Sequence, residues 1–219
     1  MIPDLPMHDT LAKKTRGDLK KIRRAAGGVR DLDVQVDLID SIQTASRNKS
    51  LTHDSSQLRA VVQATREENA NRLQKLLHRR GVELTEKMEN LLDTLEPVES
   101  AALTPSEIAS LARNWFQKNT PAAPTGDSDH PDYLHAVRKT AKLARYISEN
   151  APKTVSDARN LARSFEELQQ AGGEWHDWLV LAALADSKLG ASSPLTKVLT
   201  RRCQLSLQAY KKRLNSGIA

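Results

Sequence analysis

Within HAVRKTAKLARYISE, residues 135–149, a histidine and three cations stand three, four and three residues apart: His135, Arg138, Lys142 and Arg145, with Glu149 closing the row. On a helix turning about 100° per residue, these five fall inside an arc of roughly 80°. Val137, Ala141, Ala144 and Ile147 take other directions and can pack inward. Like charges one turn apart repel by a few tenths of a kcal/mol. A row of them is best tolerated when an anion or water neutralises it. The chemistry on offer is recognition of negative charge. Guanidinium groups grip phosphate or carboxylate oxygens in pairs, and an imidazole adds a donor whose charge depends on pH. A solvated face, with Lys and Arg stems lying over apolar surface, accounts for the same residues.

Two further basic sets occur. Lys13, Arg16, Lys20 and Arg23 share one face, and Arg30 follows a Gly27-Gly28 pair. Residues 11–30 hold eight Lys/Arg against one acid, Asp18. Near the end, Lys197, Arg201 and Arg202 crowd one end of a helical stretch and Lys211, Lys212 and Arg213 the other, where cations suit a helix C-terminus. By contrast, residues 83–107 hold seven acids against Lys87. This segregation, more than the net charge of +6, suggests a field aimed at a polyanion.

Catalytic patterns are absent from the sequence. It has no GxxxxGK[ST] phosphate loop, no HExxH and no Cys/His pair at zinc-ligand spacing. His130 and His135 have no carboxylate pattern to complete a metal site. Arg30-Asp31 and His176-Asp177 each read as a helix start, where Asp caps free N–H groups. The second pair could also act as a polarised base, and His135 could carry a phosphoryl group. With no marked nucleophile, the expectation is a non-catalytic protein without a cofactor.

Helical periodicity runs through almost all of the 219 residues, and Ala, Leu, Glu, Lys, Arg and Gln dominate. The spacing predicts helices over Leu11–Arg24, stopped by Gly27-Gly28, and from about Asp31 through Val34, Leu38 and Ile42. Asn48–Asp54 reads as a polar connection. Further helices are expected at Leu58–Arg80, ended by Gly81, and at Leu84–Leu95, closed by Pro97. Thr104-Pro105-Ser106-Glu107 carries a capping-box signature for a helix to about Lys118. After it come Asp132–Glu149, Val155–Ala171, Glu174 to about Lys188, and a last helix opened by Ser193-Pro194. The Pro- and Thr-rich stretch 119–131 reads as a linker between an N-terminal half, 1–118, and a C-terminal half, 132–219. Aromatics, at 4%, are too few for a base-stacking platform. Cys203 is the single cysteine, which suits a reducing compartment. With neither a signal peptide nor a run of apolar residues, a cytoplasmic location is expected and no membrane partner.

The chain also repeats itself weakly. GGVRDLDVQVDLI, residues 27–39, aligns with GEWHDWLVLAALA, residues 173–185, at an offset of 146. Gly27 falls on Gly173, Arg30 on His176, Asp31 on Asp177 and Val34 on Val180; upstream, Leu19 falls on Phe165 and Ile22 on Leu168. A duplicated helical bundle explains this economically. The same offset carries His135 to a position before Met1, so its helix has no counterpart here.

His-x-x-Arg-x-x-x-Lys-x-x-Arg-Tyr-x-x-Glu, His135 to Glu149, resembles the signature of the conserved histidine α-helical domain, CHAD. GGVRDLDV, Gly27 to Val34, resembles that family's Arg-Asp-x-Asp-Val hallmark, and GEWHDWLV, Gly173 to Val180, resembles its second-half equivalent. The resemblance covers about Leu11 to the C-terminus. It implies an all-α fold of two pseudo-symmetric antiparallel helical bundles, the first incomplete here. It also implies binding of inorganic polyphosphate in a basic groove or pore between the halves; the alternative is a protein that binds nucleic acid or another polyanion non-specifically through the same cations. Carried over by motif, the polyphosphate ligands are His135, Arg138, Lys142, Arg145 and Arg30, with Arg16, Lys20 and Arg23 as added contacts. Triphosphate tunnel enzymes or polyphosphate-metabolism proteins are the implied partners, and polyphosphate granules an implied location. Members normally open with a first-half helix bearing its own His-x-x-Arg. The helix Pro105–Lys118, or a second chain, would have to fill that place.

Overall fold

The computed structural model describes residues 9–93, 103–124, 130–151 and 156–217. They form six helices: α1 (Asp9–Ala45), α2 (Lys49–Asp93), α3 (Pro105–Asn119), α4 (Pro131–Ser148), α5 (Ser156–Leu189) and α6 (Pro194–Asn215). No strand occurs among the described residues, so the fold is all-α. None of the helices is long and apolar enough to cross a membrane. The chain divides into two compact units, Met1–Glu99 and Ser100–Ala219. The first contains the α1–α2 hairpin; the second contains α3 to α6.

Local chemistry sets the helix starts. The Thr104 hydroxyl accepts from the Glu107 N–H while the Glu107 carboxylate accepts from the Thr104 N–H, a complete capping box with Pro105 in the first turn. Those hydrogen bonds from Thr104 hold the Glu107 carboxyl below its ordinary range. The Ser193 hydroxyl accepts from the Thr196 N–H and starts α6. Asn48 caps α2, its Oδ1 accepting from Ser50 N–H at 2.9 Å and Leu51 N–H at 3.2 Å. The expected polar connection Asn48–Asp54 is therefore a cap and the first turns of a helix.

The glycine breaks are not there. α1 runs through Gly27-Gly28, α2 through Gly81 and α5 through Gly172-Gly173. The pieces expected on either side are single helices of 37, 45 and 34 residues. A glycine inside a helix costs about 1 kcal/mol relative to alanine. Packing along a long antiparallel partner outweighs that. It follows that Asp31 and Asp177 cap nothing, since both lie in helix interiors. The expected end of α2 near Leu95 and Pro97, the helix start at Val155 and linker residues 125–129 lie outside the described residues.

The α1–α2 hairpin is held by a thin apolar seam and by ion pairs. Ile39, Ile42, Leu51, Leu58, Val62 and Leu84 are buried. Asp40 receives Arg59 through two bonds, at 2.7 and 3.3 Å, and Asp33 receives Arg66. Asp18, with its side chain 6% exposed, lies 3.6–3.7 Å from Lys21, Arg80 and Lys87. Burial pushes the Asp18 carboxyl up; Arg80, Lys21 and Lys87 together outweigh it and hold the group below the ordinary carboxylate range. The single acid of the basic start of α1 is thus held by two cations of α2, Arg80 and Lys87, besides Lys21, which leaves the other Lys and Arg of that start uncompensated by it.

At the 146-residue offset, α1 falls on α5: it would cover 155–191, against 156–189 for α5. Each is followed by an antiparallel partner. Buried Thr15, Gln35 and Ile39 map onto buried Leu161, Leu181 and Ala185. The same inward face is used in both, but α1 puts polar groups where α5 puts leucines.

No heavy atom outside the local helix backbone lies within 4 Å of a Cβ built on Gly27. Gly27→Ala is therefore expected to raise the stability of the hairpin by about 1 kcal/mol. Chemical denaturation checks this, and a loss of stability would mean that something else requires glycine there.

In the second unit, α3 packs on α4 and α5. It belongs with the residues that follow it, not with the half 1–118 to which its sequence position assigned it. The core joins Leu134, Val137, Ala141 and Ala144 of α4 to Leu161, Phe165, Leu168 and Trp175 of α5 and Tyr210 of α6. Phe116 meets Phe165 at 5.3 Å between ring centroids, and Trp175 stacks on Tyr210 at 5.9 Å.

A candidate anion-binding face

Val137, Ala141 and Ala144 turn into the core, so the opposite side of α4 carries the cations, as the spacing requires. The row is not a free-standing solvent face. It runs along the seam between α4 and α5. His135 stacks on His176 with ring centroids 5.1 Å apart. Three residues on, the Arg138 guanidinium lies across Gly173, where an added Cβ would meet Nε at 3.8 Å. Further on, Arg145 reaches Gln169 and Glu166 of α5, both at 3.4 Å. Each step forward on α4 is matched by a step back on α5, the register of an antiparallel pair.

The four residues of the row are not equivalent. Lys142 is exposed, with Nζ 5.8 Å from the Tyr146 ring centre. Arg138 is half-buried, and neither it nor Lys142 has an ion-pair partner among the described residues. Arg145 differs. Its Nε donates to Glu149 at 2.8 Å, and the hydrogen bond and charge of Glu149 raise an already high pKa. Glu149 therefore closes the row by neutralising its last cation. His135 is half-buried; its Nδ1 is sealed from solvent without a hydrogen-bond partner. Burial lowers its pKa, and Lys139, His176 and Arg138 lower it further, against a smaller opposing effect from Asp132.

In the other unit, Arg16, Lys20, Arg23 and Arg30 are all exposed on α1 and make no ion pair among the described residues. Continuity through Gly27-Gly28 has a consequence. At about 100° per residue, Arg30 falls inside the same arc of roughly 80° as Arg16, Lys20 and Arg23. These four form one stripe about 21 Å long, by the rise of 1.5 Å per residue. The site residues are thus gathered into two sets, one on α4 and one on α1.

Other candidates have structural roles. The His130 Nδ1 accepts from the Asp132 N–H and caps α4. No group of three potential metal ligands occurs among the described residues. Arg213 bridges to Glu167 at 2.8 Å and donates to the Ser164 carbonyl, tying α6 to α5. His176, whose ring stacks on that of His135, is not among the residues that the motif carries over. Its Nδ1 lies 3.8 Å from Asp177 Oδ1, beyond hydrogen-bond range, so the pair is not a held base. The signal was present in the repeat, which places His176 on Arg30.

The CHAD domain model matches residues 6–186. The chain belongs to the CHAD domain family. The match takes in α1, α2, α3, α4 and nearly all of α5. It contains both cationic rows and His176. No curated protein and no solved structure matches the chain.

Proposed function

We propose that this CHAD domain binds inorganic polyphosphate without chemically transforming it. CHAD domains are linked to polyphosphate binding in general. The observation that carries the reading here is the α4 row: His135, Arg138 and Lys142 side by side, with no carboxylate among the described residues bonded to any of them. A flexible chain of repeating phosphates can meet such a row group by group. Arginine supplies paired donors and lysine a mobile point charge. Arg16, Lys20, Arg23 and Arg30 offer a second row of the same kind on α1. Arg145 contributes mainly by shaping the seam, because Glu149 and Glu166 already face its guanidinium. Proteins that make or cleave polyphosphate, triphosphate tunnel enzymes among them, are the proposed partners.

Affinity should fall with salt through counterion release, by about 0.7 in log K per unit of log salt for each phosphate neutralised on a single-stranded chain. Neutralising roughly three to seven phosphates gives an expected slope of about −2 to −5. Competition at matched phosphate concentration and ionic strength tests selectivity. Polyphosphate is expected to displace single-stranded DNA and RNA. Equal displacement by all three would make the protein a general polyanion binder.

A further inference from the structure

We propose that His135 and His176 form a proton-linked gate at one end of the α4 row, in which the state with both rings positive forms when phosphate lies against them. This rests on the polyphosphate reading above. The geometry is specific to the pair. The rings stack at 5.1 Å with 30° between their planes, one from α4 and one from α5. The Nδ1 of His135 faces protein and has no partner. A neutral ring can leave that nitrogen bare and carry its proton on Nε2. Protonating the ring puts an N–H at Nδ1, where no acceptor waits.

The surroundings act in the same direction. From α4, Arg138 and Lys139 oppose a positive His135, and Asp132 favours it more weakly. From α5, His176 opposes it, with Asp177 beyond. From α6 comes Tyr210, which donates to the Leu134 carbonyl; burial raises its phenol pKa and keeps it neutral. α3 meets α4 further along, through the Thr140 hydroxyl and the Asn119 carbonyl. The free protein therefore resists placing two positive rings together.

A phosphate against the rings supplies the missing negative charge. By linkage, an anion that raises the proton affinity of the pair is itself bound more tightly, by the same factor, when the pair is protonated. The sign is definite. A group held low in the free protein and raised in the complex makes affinity climb as pH falls through the bound value. The climb levels off below the free value. The dependence lies between the bound and the free values.

Isothermal titration of the intact protein with long-chain polyphosphate tests this, because the internal phosphates of that polymer stay ionised throughout. Titrations from pH 5.5 to 8 at fixed ionic strength, in buffers of different ionisation heat, should show proton uptake on binding. One coupled proton with a one-unit shift corresponds to about a tenfold rise in affinity. His135→Gln and His176→Gln should each flatten the profile. The ring NMR signals of His135 should titrate at higher pH with tripolyphosphate present, a readout on the unmutated protein. Tight binding with a flat profile, or uptake unchanged in both variants, would overturn the gate and leave polyphosphate binding standing. Absence of binding at every pH would overturn both.

Discussion

Gly172→Ala is expected to destabilise the α3–α6 unit by about 1–3 kcal/mol, the range for overpacking a well-filled interior. A Cβ at Gly172 would sit 2.8 Å from Tyr210 Cζ and 2.9 Å from Cε2. Tyr210 has nowhere to go. It is fully buried, stacked on Trp175, and its hydroxyl donates to the Leu134 carbonyl at 3.0 Å. The substitution must move α6 away from α5 or break that hydrogen bond. The adjacent Gly173→Ala is the control. Its Cβ would meet only the Arg138 guanidinium, at 3.8–4.0 Å, an ordinary approach. It should be neutral or slightly stabilising, because alanine favours helix. Thermal and chemical denaturation of the two variants decides the matter, and equal behaviour would show that the close approach is not what demands glycine.

The second large effect concerns binding. Arg138→Ala combined with Lys142→Ala should weaken polyphosphate binding about 100-fold, at roughly tenfold for each cationic side chain removed from a phosphate. Arg145→Ala should change affinity by no more than about threefold, since Glu149 and Glu166 engage its guanidinium. Titration calorimetry with circular dichroism as a control for helicity separates the two. Unchanged affinity in the double variant would move the binding site off α4. The motif alone ranks Arg138 and Arg145 as equals; the Glu149 and Glu166 carboxylates that engage Arg145 divide them.

The α4 row was legible because it is a local pattern. Residues three and four apart share a helix face whatever the helix packs against, so the directions of His135, Arg138 and Lys142 follow from their numbers. The inward turn of Val137, Ala141 and Ala144 follows for the same reason. The cap at Thr104, with Pro105 and Glu107, involves hydrogen bonds across three residues and could be read in the same way. His176 was half visible. The internal repeat set it on Arg30, but only the approach of α5 to α4 puts its ring on that of His135.

The glycines mark the other side of that line. Gly27-Gly28 and Gly172-Gly173 look alike in sequence, and both suggest a break. Their meaning depends on what lies opposite, which local spacing cannot supply. Near Gly27 there is open space; against Gly172 there is the Tyr210 ring, from 38 residues further along the chain. The helical class, the inward faces and the cationic rows come from interactions within a few turns, and the amino-acid order determines them directly. The continuity of α1, α2 and α5, the contacts of Arg145 with Glu166 and Gln169 and the pairing of the histidines depend on groups distant in sequence. Those were decided by tertiary packing, because a glycine's preference of about 1 kcal/mol or a single charge is small against the packing along a helix of 34 residues or more.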